Sequence, residues 1–475
     1  MRRLTTLMMA MVLPVIMYAQ IAQAVDFKQF FDEKTMRIDY FHSGTAAEEH
    51  FSVDRVLNDG AWAGSKTLLL DNLNRGLYFF EVSDVASGKK IYSRGFASVF
   101  GEWQTIPDAA SLWGTFHESI RFPWPLQPVN ISVQKRDANN VFAEVWSTTI
   151  DPKALNVNPA EMISPFRNYT IYNNGPAEDH VDVVILGDGY QEKEMQKFRD
   201  DAARLTAELF DVEPFKSRKT DFNVSAVETP SQTSGVNKPH PGVFKRSYLS
   251  VSYGAFDSER YALAYDNKTI RDVAATVPYD YMFILMNEDT YGGGGIFNLY
   301  STVCVDNKFS PYIFVHEFGH SFAALADEYY TSDVSYEIPE ITVEPWEPNV
   351  TALFDPANLK WKDIIEPGTP IPTPWDKKEF DEFSYRIQAE RKQLRADKVP
   401  EERMEALFER EKNTMLKMIS EMEYRNATGA FEGANYMQHG LYRSAVDCIM
   451  FTRNKQQFCP ACQRAISQII DQYSR

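Results

Sequence analysis

Residues 316–328, His316-Glu317-Phe318-Gly319-His320-Ser321-Phe322-Ala323-Ala324-Leu325-Ala326-Asp327-Glu328, set two histidines four apart around a glutamate and end in two acids. A helix turns once in 3.6 residues, so His316 and His320 share one face, a turn apart. Two imidazoles so placed reach one cation at about 2.0–2.1 Å each. Glu317 is offset to the side, where it can take a proton from a water on that cation and later give it to a leaving amine. The bland alternative is a buried helix, since Tyr312–Val315 and Phe322–Leu325 are apolar. Two histidines and a glutamate on adjoining buried faces are costly unless something satisfies them. The metal reading prevails.

A catalytic zinc takes three protein ligands and keeps one position open. In H-E-x-x-H-x-x-G-x-x-H a glycine stops the helix and returns the chain with the third ligand. Here those positions hold Ala323 and Ala326, and Asp327 and Glu328 follow. On an unbroken helix Asp327 would lie about 10 Å along the axis from His320, too far to share an ion. The helix is therefore expected to end near Leu325. Asp327 is the first choice for third ligand, Glu328 the second, and Glu337 or Glu340 the third.

Outward from this helix the pattern is α/β. Val181–Leu186, apolar but for Asp182, and Tyr281–Met286 read as buried strands. Gly187-Asp188-Gly189-Tyr190 makes a turn into a helix over Glu192–Phe210, and Gly292–Gly295 leads toward the histidine helix. Gly293, Gly294, Gly295 and Ile296 are candidates for the sheet edge that receives an extended substrate, because bare glycine admits a second backbone. Met450 is a candidate for a turn beneath the site, and Tyr436 and Tyr442 are candidates for oxyanion support.

The rest of the chain bounds the setting. At 475 residues two domains are the better expectation, and 44% hydrophobic residues permit sizeable cores. The net charge of −17 repels phosphate backbones, so nucleic acid is a poor partner. Arg2 and Arg3, an apolar run from Leu4 to about Tyr18 and Ala22-Gln23-Ala24 form a signal peptide over residues 1–24, with cleavage before Val25. That predicts an exported chain (periplasmic, cell-surface or extracellular) with no membrane span. In an oxidising compartment Cys304, Cys448, Cys459 and Cys462 are expected to pair. A structural disulfide in the C-terminal segment is favoured over a redox CxxC, which lacks a βαβ setting, and over a zinc knuckle, which lacks a second CxxC. Residues 25–152 read as a β-sandwich from short strands such as Leu77–Val82 and Ile131–Lys135, with no evident chemistry. Residues 160–475 form the catalytic part, interrupted by a charged helical insertion at 376–425.

These segments resemble the immunoglobulin A peptidase family of secreted bacterial zinc metallopeptidases, with its N-terminal β domain. The likeness rests on Arg37-Ile38-Asp39-Tyr40, Trp62-Ala63-Gly64-Ser65, Phe96 and Glu102-Trp103-Gln104, then on Gly187–Tyr190, Tyr291–Gly295 and HEFGHSFAALADEYY. Lys360-Trp361-Lys362, Pro370–Pro374, Gly429–Gly433, Cys448–Met450 and Phe458-Cys459-Pro460 extend it. The resemblance implies one catalytic Zn2+ at His316 and His320, Glu317 as base, and a metzincin-like domain acting on internal peptide bonds of proteins. It does not carry the immunoglobulin substrate with it, and host glycoproteins such as immunoglobulins are candidate substrates only. The rivals are a carbohydrate- or glycoprotein-binding protein with a vestigial metal site and a zinc-stabilised structural protein. Oligomeric state is not legible in the sequence.

Overall fold

A computed structural model describes residues 25–332 and 341–474. The expected leader, Glu337 and Glu340 lie outside these residues.

The N-terminal part is two four-stranded sheets around one core. Gly114–Pro125, Phe31–Gly44 and Glu49–Ala61 run antiparallel, with the short Val157–Asn158 added at the edge. Lys90–Phe96, Tyr78–Asp84, Val129–Arg136 and Phe142–Ile150 form the second sheet. Alternate residues of both, Ile38 and Tyr40 facing Phe80, Val82, Ile131 and Val133, fill the space between them.

The remainder centres on a six-stranded sheet. Its order is Gly293–Ile296, Tyr300–Cys304, Tyr281–Met286, Val181–Asp188, Phe222–Val227 and Asn168–Tyr172. The four inner strands are parallel, and Val181–Asp188 is buried throughout, as a strand covered on both faces must be. Asp182 is buried with its apolar neighbours.

The helix Ser310–Ala323 lies across the Gly293–Ile296 and Tyr300–Cys304 end of the sheet, with Met195–Leu209 and Pro460–Tyr473 beside it. Phe314 stacks on Phe283 at 3.9 Å between ring centroids, and Phe318 packs against the same ring. Strand and helix approach so closely that a Cβ on Gly295 would collide with the Glu317 carbonyl oxygen. The glycines expected to admit a substrate are first needed for this packing.

The charged segment folds as two helices, Lys377–Ala396 and Glu401–Glu421, broken at Pro400. Phe380 and Ile387 from one and Met404, Leu407, Phe408 and Met415 from the other face the body, which gives the pair an apolar underside.

The two halves are joined by buried charge. Arg37, fully buried, reaches Asp39, Asp59 and, across the junction, Asp272. Arg75 donates to the carbonyls of Ala323 (3.3 Å) and Ala465 (2.8 Å), the first at the end of the histidine helix. No helix among the described residues is long and apolar enough to cross a membrane.

Candidate active site

The histidine helix stops at Ala323, two residues before the expected point. Ala324 takes the left-handed conformation (φ 57°, ψ 36°) that glycine usually supplies. The Ala324 amide donates to His320 O (3.0 Å) and the Leu325 amide to Gly319 O (3.3 Å), so the last turn is closed by a reversing chain. That reversal brings Asp327 back to the histidines.

Three acceptors converge there. His316 Nδ1 donates to Ile449 O (3.0 Å) and His320 Nδ1 to Leu325 O (2.6 Å). With Nδ1 carrying the proton in each neutral ring, both Nε2 atoms are bare lone pairs. They face each other at 3.2 Å, and Asp327 Oδ1 lies 3.1 and 3.3 Å from them. This buried carboxylate oxygen has no hydrogen-bond partner. Lone pairs repel one another unless a cation or proton lies between them. Burial opposes ionisation of Asp327, yet the imidazoles hold it well below the usual carboxylate range. Burial also disfavours charge on His320, yet Asp327 carries that ring up to about 9. The donor set, two imidazoles and a carboxylate, fits a catalytic metal with one position left open.

These groups lie in a cleft of about 460 Å3. Glu317 lines it beside the histidines; burial raises its pKa, with His316, His320 and Arg260 restraining the rise. Tyr436 also lines the cleft, and its hydroxyl donates to Asp327 Oδ2. Tyr442 does not line it; it lies on a small three-stranded sheet, opposite Thr351 and Glu432. Gly293, Gly294 and Gly295 line the cleft, but the edge is partly taken. The Gly293 amide donates to Arg260 O (3.2 Å), and Phe297 O accepts from Ala97 (2.9 Å). Met450 lies under the helix, its sulfur against Gly319.

The model of the IgA Peptidase M64 family matches residues 170–470, well over half of the chain, and that of the Peptidase M64 N-terminus matches residues 26–147. The chain belongs to the IgA peptidase M64 family. It is therefore a metallopeptidase, a peptide hydrolase. No curated protein matches it.

Both M64 segments meet at the cleft. Ser98, Gly101 and Glu102 of the N-terminal segment form one wall, and Tyr261 of the peptidase segment donates to Glu102 at 2.5 Å. Burial raises Glu102 to about 7, with the Tyr261 bond opposing the rise. The charged helices supply another wall through Phe380, Ser384 and Met415. Glu102 was marked only as part of the resemblance, and no local pattern places these residues at the cleft, since each arrives from a distant part of the chain.

The M64 segment also separates the two acids. Glu328 points away from the histidines, toward Cys448, Cys459 and Cys462. The expected disulfide is absent: all four cysteines are free, and Cys448 and Cys462 Sγ are 3.8 Å apart, against about 2.05 Å in a disulfide.

Proposed function

We propose that this chain is an exported, zinc-dependent endopeptidase of metzincin-like architecture that uses Glu317 as general base. The observation that carries the reading is the meeting of three lone pairs, from His316, His320 and Asp327, at one buried point beside an ionisable glutamate. These three residues would hold the zinc, with Met450 as the turn beneath it. Zinc, when bound, polarises the scissile carbonyl and acidifies water at neutral pH.

The chain's own groups do the rest. Glu317 takes a proton from the attacking water at its carboxylate and returns it to the leaving nitrogen; its raised pKa brings it nearer the working pH of such a relay. Tyr436 presents a hydroxyl where negative charge develops on the carbonyl oxygen. The histidine Nδ1 bonds to Ile449 and Leu325 fix both rings, so their lone pairs stay aimed while the substrate changes. An extended substrate segment would lie along Gly294–Ile296, between the Glu102 wall and the charged helices. The family name carries immunoglobulin A, which makes immunoglobulins the first protein substrates to try.

Glu317→Gln tests the assignment. Zinc content should stay at the wild-type level while hydrolysis of an unfolded protein falls by about 10²–10⁴-fold, the usual contribution of a positioned base. Activity within threefold of wild type would end it.

A further inference from the structure

A second group of metal-ligating side chains lies behind the first. We infer that Glu328, Cys448, Cys459 and Cys462 form a closed, structural zinc site, separate from the histidine site and built to hold the chain that carries Asp327.

The four ligand atoms are close enough together to share one ion. They lie within 4.8 Å of one another, and all four residues are buried. Metal–sulfur bonds of about 2.3 Å in a tetrahedron give sulfur–sulfur edges of about 3.8 Å, and sulfur–oxygen edges of about 3.6 Å with a carboxylate. Cys448 and Cys462 Sγ are 3.8 Å apart, and Glu328 Oε1 lies 3.3 Å from Cys459 Sγ and 3.2 Å from Cys462 Sγ. A sulfur–sulfur separation of 3.8 Å is too long for a disulfide and suits two ligands of one ion.

Burial holds Cys448 and Cys462 as thiols until a cation arrives, and neighbouring backbone amides support the thiolates that a cation would form. Backbone amides of Met450 (3.4 Å) and Cys459 (3.1 Å) point at Cys448 Sγ, and the Cys462 amide (3.4 Å) points at Cys459 Sγ. Cys459 caps the 14-residue helix Pro460–Tyr473, whose N-terminal end stabilises negative charge. The buried Arg443 guanidinium bears on both Glu328 and Cys448. Glu328 Oε1 accepts from Asn349 Nδ2 at 3.0 Å, while Oε2 is buried without a partner. A buried carboxylate with one oxygen beside two sulfurs and the other without a partner is costly, and a dication offsets that cost. Thiolate donors select zinc among the common divalent ions, and four protein ligands leave no open position, so this site is not catalytic. Binding displaces to solvent whatever protons the three sulfurs and the Glu328 carboxyl hold.

The position explains the purpose. Glu328 follows Asp327, and its amide donates to Met450 O (2.8 Å), while Ile449 O accepts from His316 Nδ1. A metal here fixes Asp327 and the turn under the histidines as one unit.

The test counts metal in the purified full chain. Wild type should hold two zinc ions and His316→Ala/His320→Ala one. In that double variant, cobalt(II) in place of zinc should show thiolate-to-cobalt charge-transfer absorption, which nitrogen and oxygen ligands do not give. Cys459→Ser/Cys462→Ser should retain one ion without that absorption. If the cysteine variant fails to fold, the histidine variant still decides. Absence of sulfur-ligated metal in the histidine variant would overturn the inference, as would an unreduced intact mass showing loss of two hydrogens to a disulfide. Failure of the catalytic assignment alone reads differently: wild type would hold one ion, ligated by sulfur.

Discussion

Asp327 and Glu328 are adjacent in the chain and serve opposite clusters: Asp327 Oδ1 lies 3.1 Å from His316 Nε2, and Glu328 Oε1 lies 3.2 Å from Cys462 Sγ. Asp327→Ala should therefore empty the catalytic site and lower peptide hydrolysis by at least about a hundredfold, because losing a ligand exceeds the 10–100-fold cost of losing a ligand's partner. Elemental analysis beside a rate assay checks this. Full zinc occupancy of His316 and His320 in this variant would point to a different third ligand.

Tyr436 offers a sharper kinetic test. Its hydroxyl donates to Asp327 and lies 3.4 Å from that of Tyr329. Tyr436→Phe should lower kcat by about 10²–10³-fold with KM and zinc content unchanged, as for loss of an oxyanion donor. If the hydroxyl only steadies Asp327, zinc affinity falls instead and excess zinc restores kcat. Tyr442→Phe, away from the cleft, should leave the rate as it was.

Ala324 is strained for the benefit of the site. A left-handed alanine costs about 1–2 kcal/mol, and glycine in its place gives back about 0.5–1 kcal/mol through its freer unfolded chain. Ala324→Gly should thus raise stability by about 0.5–1 kcal/mol in denaturant titration of the zinc-loaded protein. A loss of stability would mean that the alanine methyl group packs better than its backbone suggests.

Asp182 sets a pH dependence far from the metal. Burial, with the Asp280 charge second, raises its pKa to about 9, and one of its carboxyl oxygens lacks a partner. The folded chain keeps this proton after the unfolded chain has released it, so the native state binds more protons. Stability from this group is undiminished below the ordinary carboxylate range and falls as pH rises from there to about 9. Asp182→Asn removes that fall and should stabilise the protein by about 2 kcal/mol or more at pH 9 relative to pH 5, compared with wild type. Parallel stability–pH curves for the two proteins would refute the assignment.

What sequence could reveal followed the range of the interactions. His316, Glu317 and His320 needed only the helical period. The parallel sheet needed only unbroken apolar runs, with Asp182 as the exception that burial did not expel. The end of the helix was legible as a requirement but not in its means, since Ala324 carries no glycine signature. Cys448 lies eleven residues before Cys459, and Glu328 more than a hundred before it, so no spacing rule joins them. The place of Glu102 in the cleft was beyond reach for the same reason: its partner Tyr261 meets it, and the His320 charge bears on it, only after both halves have folded.

Arg75 carries this dependence furthest. Its guanidinium belongs to the N-terminal half and satisfies carbonyl oxygens at the far end of the histidine helix and on the C-terminal helix. A fragment lacking residues 25–152 would strip Arg75 from the Ala323 oxygen, in the very turn that delivers Asp327, and from the Ala465 oxygen on the C-terminal helix. Trimming the polypeptide to its peptidase half should therefore yield a protein that has kept its motif and lost its craft.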